Sequence, residues 1–294
     1  TSEQQFATEF ECEFLGSTNT LVNASKLRTM SYKEPIVKHE GLNVYENPIK
    51  DHNYMITADV ARGTKNDASA FVVFDVTNIP YKVVASFKDN EIKPLLFPHK
   101  IHHVARAYNN AYVLVEVNDI GEQVSNNLHF DLEYDNIIMC YMRGRAGQIM
   151  GSGFSGGKAS LGVRTTKAVK KVGCSNMKQL LETDKLLVDD FDIINELSTF
   201  IVHGNQFQAE EGSNDDLVMC LVLFSWATDQ RYFKELTDQD VRKRMYADNQ
   251  DRIEQDMTPF GFIVDGNNDE IGETVDEYGT RWSPVTIRDK DTDW

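Results

Sequence analysis

Three apolar segments follow one another with only turns between them: residues 53–60 (NYMITADV), 70–76 (AFVVFDV) and 81–87 (YKVVASF). Connections this short join antiparallel neighbours, so the three read as a meander. The pattern then changes. Over 94–110 apolar positions fall at helical spacing (Leu95, Ile101, Val104, Ala105, Tyr108), and residues 111–117 (AYVLVEV) follow as a strand with little alternation, which marks burial on both faces. A meander followed by strands alternating with helices predicts an α/β fold, a mixed central sheet flanked by helices. The same reading predicts helices over 121–130, 167–183, 189–200 and 214–228, strands at 136–141 and 185–188, and a short strand near Phe207. The Gly- and Ser-rich stretch 143–166 reads as a long exposed loop or hairpin. Beyond it, a helix is expected near 237–247, with turns at Pro259 and Asp265.

Residues 1–50 read as a polar lead-in, 51–230 as the folded core and 231–294 as an acidic extension. The longest apolar run, Leu217 to Phe224, is far too short to span a bilayer, and the polar N-terminus shows no signal peptide. Four widely separated cysteines without a CxxC pair argue against a zinc knuckle or disulfide framework; they fit buried apolar roles in a reducing compartment. The formal net charge of −16 excludes a generally basic, histone-like nucleic-acid binder. That charge is uneven, however. Residues 143–185 carry nine basic and two acidic side chains, whereas 186–227 carry eight acidic and no basic ones. The function must account for this basic block.

Several motifs do not survive their context. Gly151 to Gly156 matches GxGxxG, but no clean strand enters it and no amphipathic helix leaves it, so a dinucleotide site is rejected. Gly156-Gly157-Lys158 resembles the end of a P-loop, yet Ala159 stands where a hydroxyl must hold Mg²⁺. His99, His102 and His103 read as a solvated helix face, and the Asp265–Glu270 stretch lacks the order of a calcium loop.

Acids inside apolar elements are more informative. Asp59 lies in the first strand after Ile56-Thr57-Ala58, Glu116 lies near the end of the buried fourth, and Asp215 and Asp216 precede the most apolar helix in the chain. Ser213-x-x-Asp216 resembles a capping box, and a carboxylate in a first helical turn is favoured by the helix dipole. Each acid alone has a plain structural reading as a cap, a strand-end acid or half of a salt bridge. Jointly they have a simpler one. If strands one and four are adjacent and the helix packs across them, the carboxylates meet. Hard oxygen donors suit Mg²⁺ or Mn²⁺, and two such ions suit phosphodiester hydrolysis.

At these residues the chain resembles a known family. The stretches MITADVARGTKNDASAFVVFDV, YVLVEVNDIGEQV, GVRTTKAVKKVGCSNMKQLLE and EGSNDDLVMCLVLFSW are similar to the C-terminal nuclease domain of the large terminase subunit of T-even-type tailed phages. The likeness spans about residues 50–230. It implies an RNase H-like fold of the resolvase and integrase type, with Asp59, Glu116 and one or both of Asp215 and Asp216 as catalytic metal ligands. It also implies that Asp67 assists a second ion, and that residues 162–167 face DNA. The basic residues expected to meet the DNA backbone are Arg143, Arg145, Lys158, Arg164, Lys167, Lys170 and Lys171.

The resemblance implies a nuclease that cuts concatemeric viral double-stranded DNA during packaging, using two Mg²⁺ or Mn²⁺ ions, in the host cytoplasm. Implied partners are an ATPase domain N-terminal on the same polypeptide, the portal and the small terminase subunit, with no membrane. No Walker A sequence is present and the chain starts at Thr1, so an excised nuclease domain is expected. Two rivals stand beside this reading: a structure-selective resolvase-like nuclease, and a non-catalytic DNA-gripping module whose acids only cap and pair.

Overall fold

A computed structural model describes residues 19–62, 67–143, 147–151, 159–204 and 206–237, with the backbone of 274–275 and 281–282. The meander forms as the spacing predicts. In the central sheet β1 (Val37–His39) and β2 (Leu42–Val44) form a hairpin; β3 (Tyr54–Asp59), β4 (Ser69–Asp75) and β5 (Tyr81–Asp89) pair antiparallel; β6 (Tyr112–Val115) runs parallel to β3. The strand order is β1-β2-β5-β4-β3-β6. Residues 37–44, expected in a lead-in outside the core, instead extend this sheet at β5. Strands of three residues are too short to declare themselves by periodicity, and their partner lies far along the chain.

Alternation along the strands divides two cores. Met55, Ala70, Val72, Phe74 and Leu114 face one side, whereas Ile56, Ala58, Phe71, Val73, Val113 and Val115 face the other. The second face is covered by α2 (Phe97–Ala107, following the short α1, Ala24–Thr29), by α3 (Gly121–Asn126) and by the π-helical turn Asn127–Asp131. The first face is covered by α4 (Lys167–Glu182), α5 (Phe191–Thr199) and α6 (Asp216–Thr228). All of α6 except Thr228 is buried, as expected of a helix that is apolar on every side. Phe224 of α6 stacks on Phe74 at 3.9 Å between ring centroids. The helix reaches the sheet closely enough for the Thr57 hydroxyl to donate to the Cys220 carbonyl at 2.8 Å. It also lies against α4 at Gly173, where a Cβ would stand 2.4 Å from the Val222 carbonyl oxygen.

The Gly- and Ser-rich stretch contributes to a small antiparallel sheet. Here β7 (Met139–Met142) pairs with both β8 (Gln148–Gly151) and β9 (Ala159–Ser160). Just before β7, Ile137 bridges Val113 in parallel, so the chain passes along β6 before leaving the central sheet. β10 (Leu186–Leu187) adds in parallel to β5. The helix expected to reach residue 200 stops at Thr199 because β11 (Phe200–His203) and β12 (Gln206–Ala209) form a hairpin, whose second arm is the strand read at Phe207.

The chain divides into two compact units, Thr1–Arg244 and Met245–Trp294. The first therefore runs past the boundary expected at 230. Backbone over 231–237 is helical, and Phe233 is buried beside Tyr81 and Phe224. In the second unit Thr274–Val275 pairs antiparallel with Arg281–Trp282. Apart from Thr237, the expected helix near 237–247 and the turns at Pro259 and Asp265 lie outside the described residues. Among the described residues no helix is long and apolar enough to cross a membrane. Cys140, Cys174 and Cys220 are free thiols buried in the apolar interior.

Candidate active site

Strand register brings the first two acids together. Ala58 lies opposite Val115 in the parallel pair, and the Glu116 N–H donates to the Ala58 carbonyl at 2.9 Å. Asp59 and Glu116 are the next residues on each strand. Alternation turns both side chains toward the face that α6 covers. The two carboxyl groups are neighbours, so the charge and hydrogen-bonding capacity of Glu116 both favour the protonated form of Asp59. Burial pushes Asp59 well above the usual carboxylate range, and the charge and hydrogen bond of Glu116 raise it further, followed by the charges of Asp216 and Asp215. The Asn118 side-chain amide donates to Glu116 Oε1 at 2.7 Å and fixes its orientation. At Gly121 a Cβ would fall 1.8 Å from the Glu116 carbonyl oxygen, so only glycine lets α3 start this close to the site.

The start of α6 corrects the capping expectation. Asp215 occupies the N-cap position, but its side chain makes no capping hydrogen bond, and Asp216 is the first helical residue. The cap comes from another helix. Glu196 of α5 accepts from the N–H groups of Leu217 (2.9 Å) and Val218 (3.0 Å) through Oε2. Its other oxygen accepts from the Lys88 ammonium at 2.5 Å, and Lys88 also lies 3.2 Å from Asp216 Oδ2. Lys88 comes into reach because Asp59 lies opposite Ala70 and Ala70 opposite Lys88, one row across three strands.

Burial pushes Glu196 up to about 7, against the opposing pull of Lys88 and the Val218 N–H. Burial likewise raises Asp216, against the pull of Lys88, the Ala68 N–H and the Asn214 amide. For Lys88 burial acts downward, but Glu196 and Asp216 outweigh it and the ammonium is held above its ordinary range. Ala68, Lys88 and Asn214, the three groups that hold Asp216, line a cleft of about 870 Å³.

Asp215 is less constrained, with Lys170 Nζ 3.7 Å from its Oδ2. Lys170 also lies over the Phe200 ring at 5.7 Å. It lines a cavity of about 410 Å³ with Thr166, Lys167, Lys171 and Phe207, where the start of α4 meets the β11–β12 hairpin. Lys167, Lys171, Arg164 and Arg143 are exposed. Asp67 is exposed, one residue before Ala68. Arg145 and Lys158 lie outside the described residues. Sequence reasoning missed Lys88, Glu196, Asn118 and Asn214. Only Glu196 carried a signal: it is a charged residue on the apolar stripe of Ile193, Ile194 and Leu197.

Among the described residues no three His, Cys, Asp or Glu side chains are close enough together to enclose a metal ion. The donor chemistry nonetheless fits a hard dication. Asp59 and Glu116 offer neighbouring carboxylates, and the charges of Asp216 and Asp215 act on Asp59 as well.

Fold and site thus define a three-layer α/β protein with carboxylates gathered where two adjacent parallel strands end. The comparisons agree with that class. Residues 56–226 match the family model described as the terminase RNaseH-like domain, and the chain belongs to this family. The match is to terminases as a group and does not single out the T-even type. Among solved structures, the chain is similar to the large terminase nuclease of thermophilic phage G20c with bound magnesium (TM-score 0.53, 20% identity, covering 71% of this chain and 97% of that one). The same nuclease with bound cobalt matches at TM-score 0.53 and 21% identity, with 71% and 97% coverage. The Thermus phage P74-26 large terminase nuclease domain matches at TM-score 0.50 and 22% identity, with 68% and 91% coverage. At these identities the likeness concerns the fold, and it bears out the RNase H-like mixed sheet.

Proposed function

We propose that the chain is a metal-dependent endonuclease that cuts concatemeric viral double-stranded DNA, with low sequence specificity, during genome packaging. The observation that carries this reading is the contact between Asp59 and Glu116. Two acids of like charge set against each other in a buried place are unfavourable for stability, whereas they suit a site built to receive a cation. The cap of α6 adds support. Because Glu196 satisfies the helix N–H groups, neither Asp215 nor Asp216 is needed as a cap, and their ionic neighbours are Lys170 and Lys88. That weighs against the capping role which the non-catalytic gripping module gives them.

In this reading Asp59, Glu116 and Asp216 or Asp215 hold Mg²⁺ or Mn²⁺, with Asp67 beside a second ion. Magnesium in the G20c nuclease supports the choice of metal. Bound there, such ions supply the acidity that activates water and the charge that offsets the phosphate in its transition state. The residues of the chain prepare for that. Asn118 orients Glu116, and the Asn214 amide and the Ala68 N–H orient Asp216. Arg143, Arg145, Lys158, Arg164, Lys167, Lys170 and Lys171 grip the DNA backbone, which positions the duplex without reading its sequence. An ATPase domain on the same polypeptide, the portal and the small terminase subunit complete the proposed assembly in the host cytoplasm.

Plasmid nicking tests the reading. Wild type is expected to nick in Mg²⁺ or Mn²⁺ and to stop in chelator, and Asp59→Ala is expected to be inactive. Undiminished cleavage by that variant overturns the assignment. A four-way junction cut far faster than linear duplex transfers it to a resolvase-like nuclease.

A further inference from the structure

The acid that α6 brings to the site is engaged by a lysine. Lys88 Nζ lies between two carboxylates, 2.5 Å from Glu196 Oε1 and 3.2 Å from Asp216 Oδ2. Glu196 cannot move toward the site without uncapping α6, because Oε2 accepts from Leu217 and Val218. Lys88 has more freedom. Its side chain is partly exposed, and it lines the open cleft beside Asp216. Asp59 and Glu116 already touch, while no third acid among the described residues closes a metal-sized cage with them. The groups standing against Asp216 are Lys88, the Asn214 amide and the Ala68 N–H, and of these only Lys88 carries charge.

We propose that Lys88 and Glu196 are a positioning pair that sets how strongly Asp216 takes part in metal binding. This rests on the metal-dependent reading above and adds to it a built-in competitor. The Lys88 ammonium and an incoming dication both seek Asp216. Glu196, pinned to the start of α6, is the counter-anchor that draws Lys88 away. When the ion arrives, Lys88 passes wholly to Glu196 and Asp216 Oδ2 is released toward Asp59 and Glu116. Asn214 and Ala68 keep Asp216 oriented meanwhile, so its release needs no movement of α6.

The two members of the pair then act with opposite sign. Lys88→Met removes the competitor and leaves the acids less compensated, so Mn²⁺ should bind more tightly. Glu196→Gln retains an oxygen for the α6 N–H groups but gives up the charge that attracts Lys88. The ammonium then rests on Asp216, and Mn²⁺ should bind more weakly. Titration calorimetry of wild type and both variants with Mn²⁺, without DNA, reads this directly. The expected shifts in Kd are about fivefold each way, the scale a partly exposed charge pair supports. Melting temperatures recorded alongside register any purely structural loss, which would not produce opposite shifts in Kd. Mn²⁺ binding by wild type with both variants unchanged, or shifted the same way, overturns the positioning pair and leaves the nuclease reading standing. Wild type that binds no Mn²⁺ overturns both.

Discussion

A carboxyl group held above its ordinary range makes the metal-free protein sensitive to pH. Burial and Glu116 raise Asp59 well above 3.8, so the folded chain keeps that proton to higher pH than the unfolded chain does. This contribution to stability is complete below the ordinary carboxylate range and fades as pH climbs through the raised value. Glu196, pushed up to about 7, acts with the same sign, so metal-free protein should melt lower at pH 8 than at pH 6. Asp59→Asn, which removes the charge and keeps the shape, should recover on the order of 1 kcal/mol at pH 8 while losing Mn²⁺ binding. Thermal scans at the two pH values check this; an Asp59→Asn curve identical to wild type would refute it. Metal uptake requires the ionised form of Asp59, so Mn²⁺ affinity should rise as pH climbs through the raised value. Titration calorimetry at a series of pH values checks this.

At the scale of elements, α6 is the most demanding part of the fold, because it must lie on the sheet, on α4 and on α5 at once. Gly173 permits the contact with α4. Gly173→Ala would place a Cβ 2.4 Å from the Val222 carbonyl oxygen, and backbone cannot yield as a flexible side chain does. The expected loss is about 2–3 kcal/mol in urea unfolding, against the gain of roughly 1 kcal/mol that the same change brings in an unhindered helix. Phe224→Ala removes the stack on Phe74 and opens a cavity beside Tyr81 and Phe233, for an expected loss of about 3–5 kcal/mol. The start of α4 carries a different prediction. Lys167 and Lys171 are exposed on the face proposed for DNA, so alanine at either should lower the salt dependence of DNA binding by about one phosphate contact. Filter binding at graded salt measures that slope.

For the whole molecule, charge distribution matters more than total charge. A net −16 repels a polyanion at a distance, and the basic block over 143–185, proposed to meet DNA, opposes that repulsion. Modest DNA affinity that collapses between low and physiological salt is the expected result. Much of this architecture was legible in the sequence. Apolar runs and short connections announced the meander, and the unalternating run at 111–117 announced a strand buried on both faces. Acids inside those apolar segments pointed to the candidate site, because unpaired charge there is costly. These are local signals, carried by neighbouring residues. What only the tertiary structure decided is relational. The parallel register of β3 with β6 sets Asp59 against Glu116, and the row through Ala70 brings Lys88 to Asp216. The cap of α6 comes from Glu196, 20 residues ahead of Asp216, where a capping box had been read locally. Side-chain charges and strand edges are indifferent to their separation along the chain. Their partners are chosen when the layers pack, so no reading of local pattern reveals them.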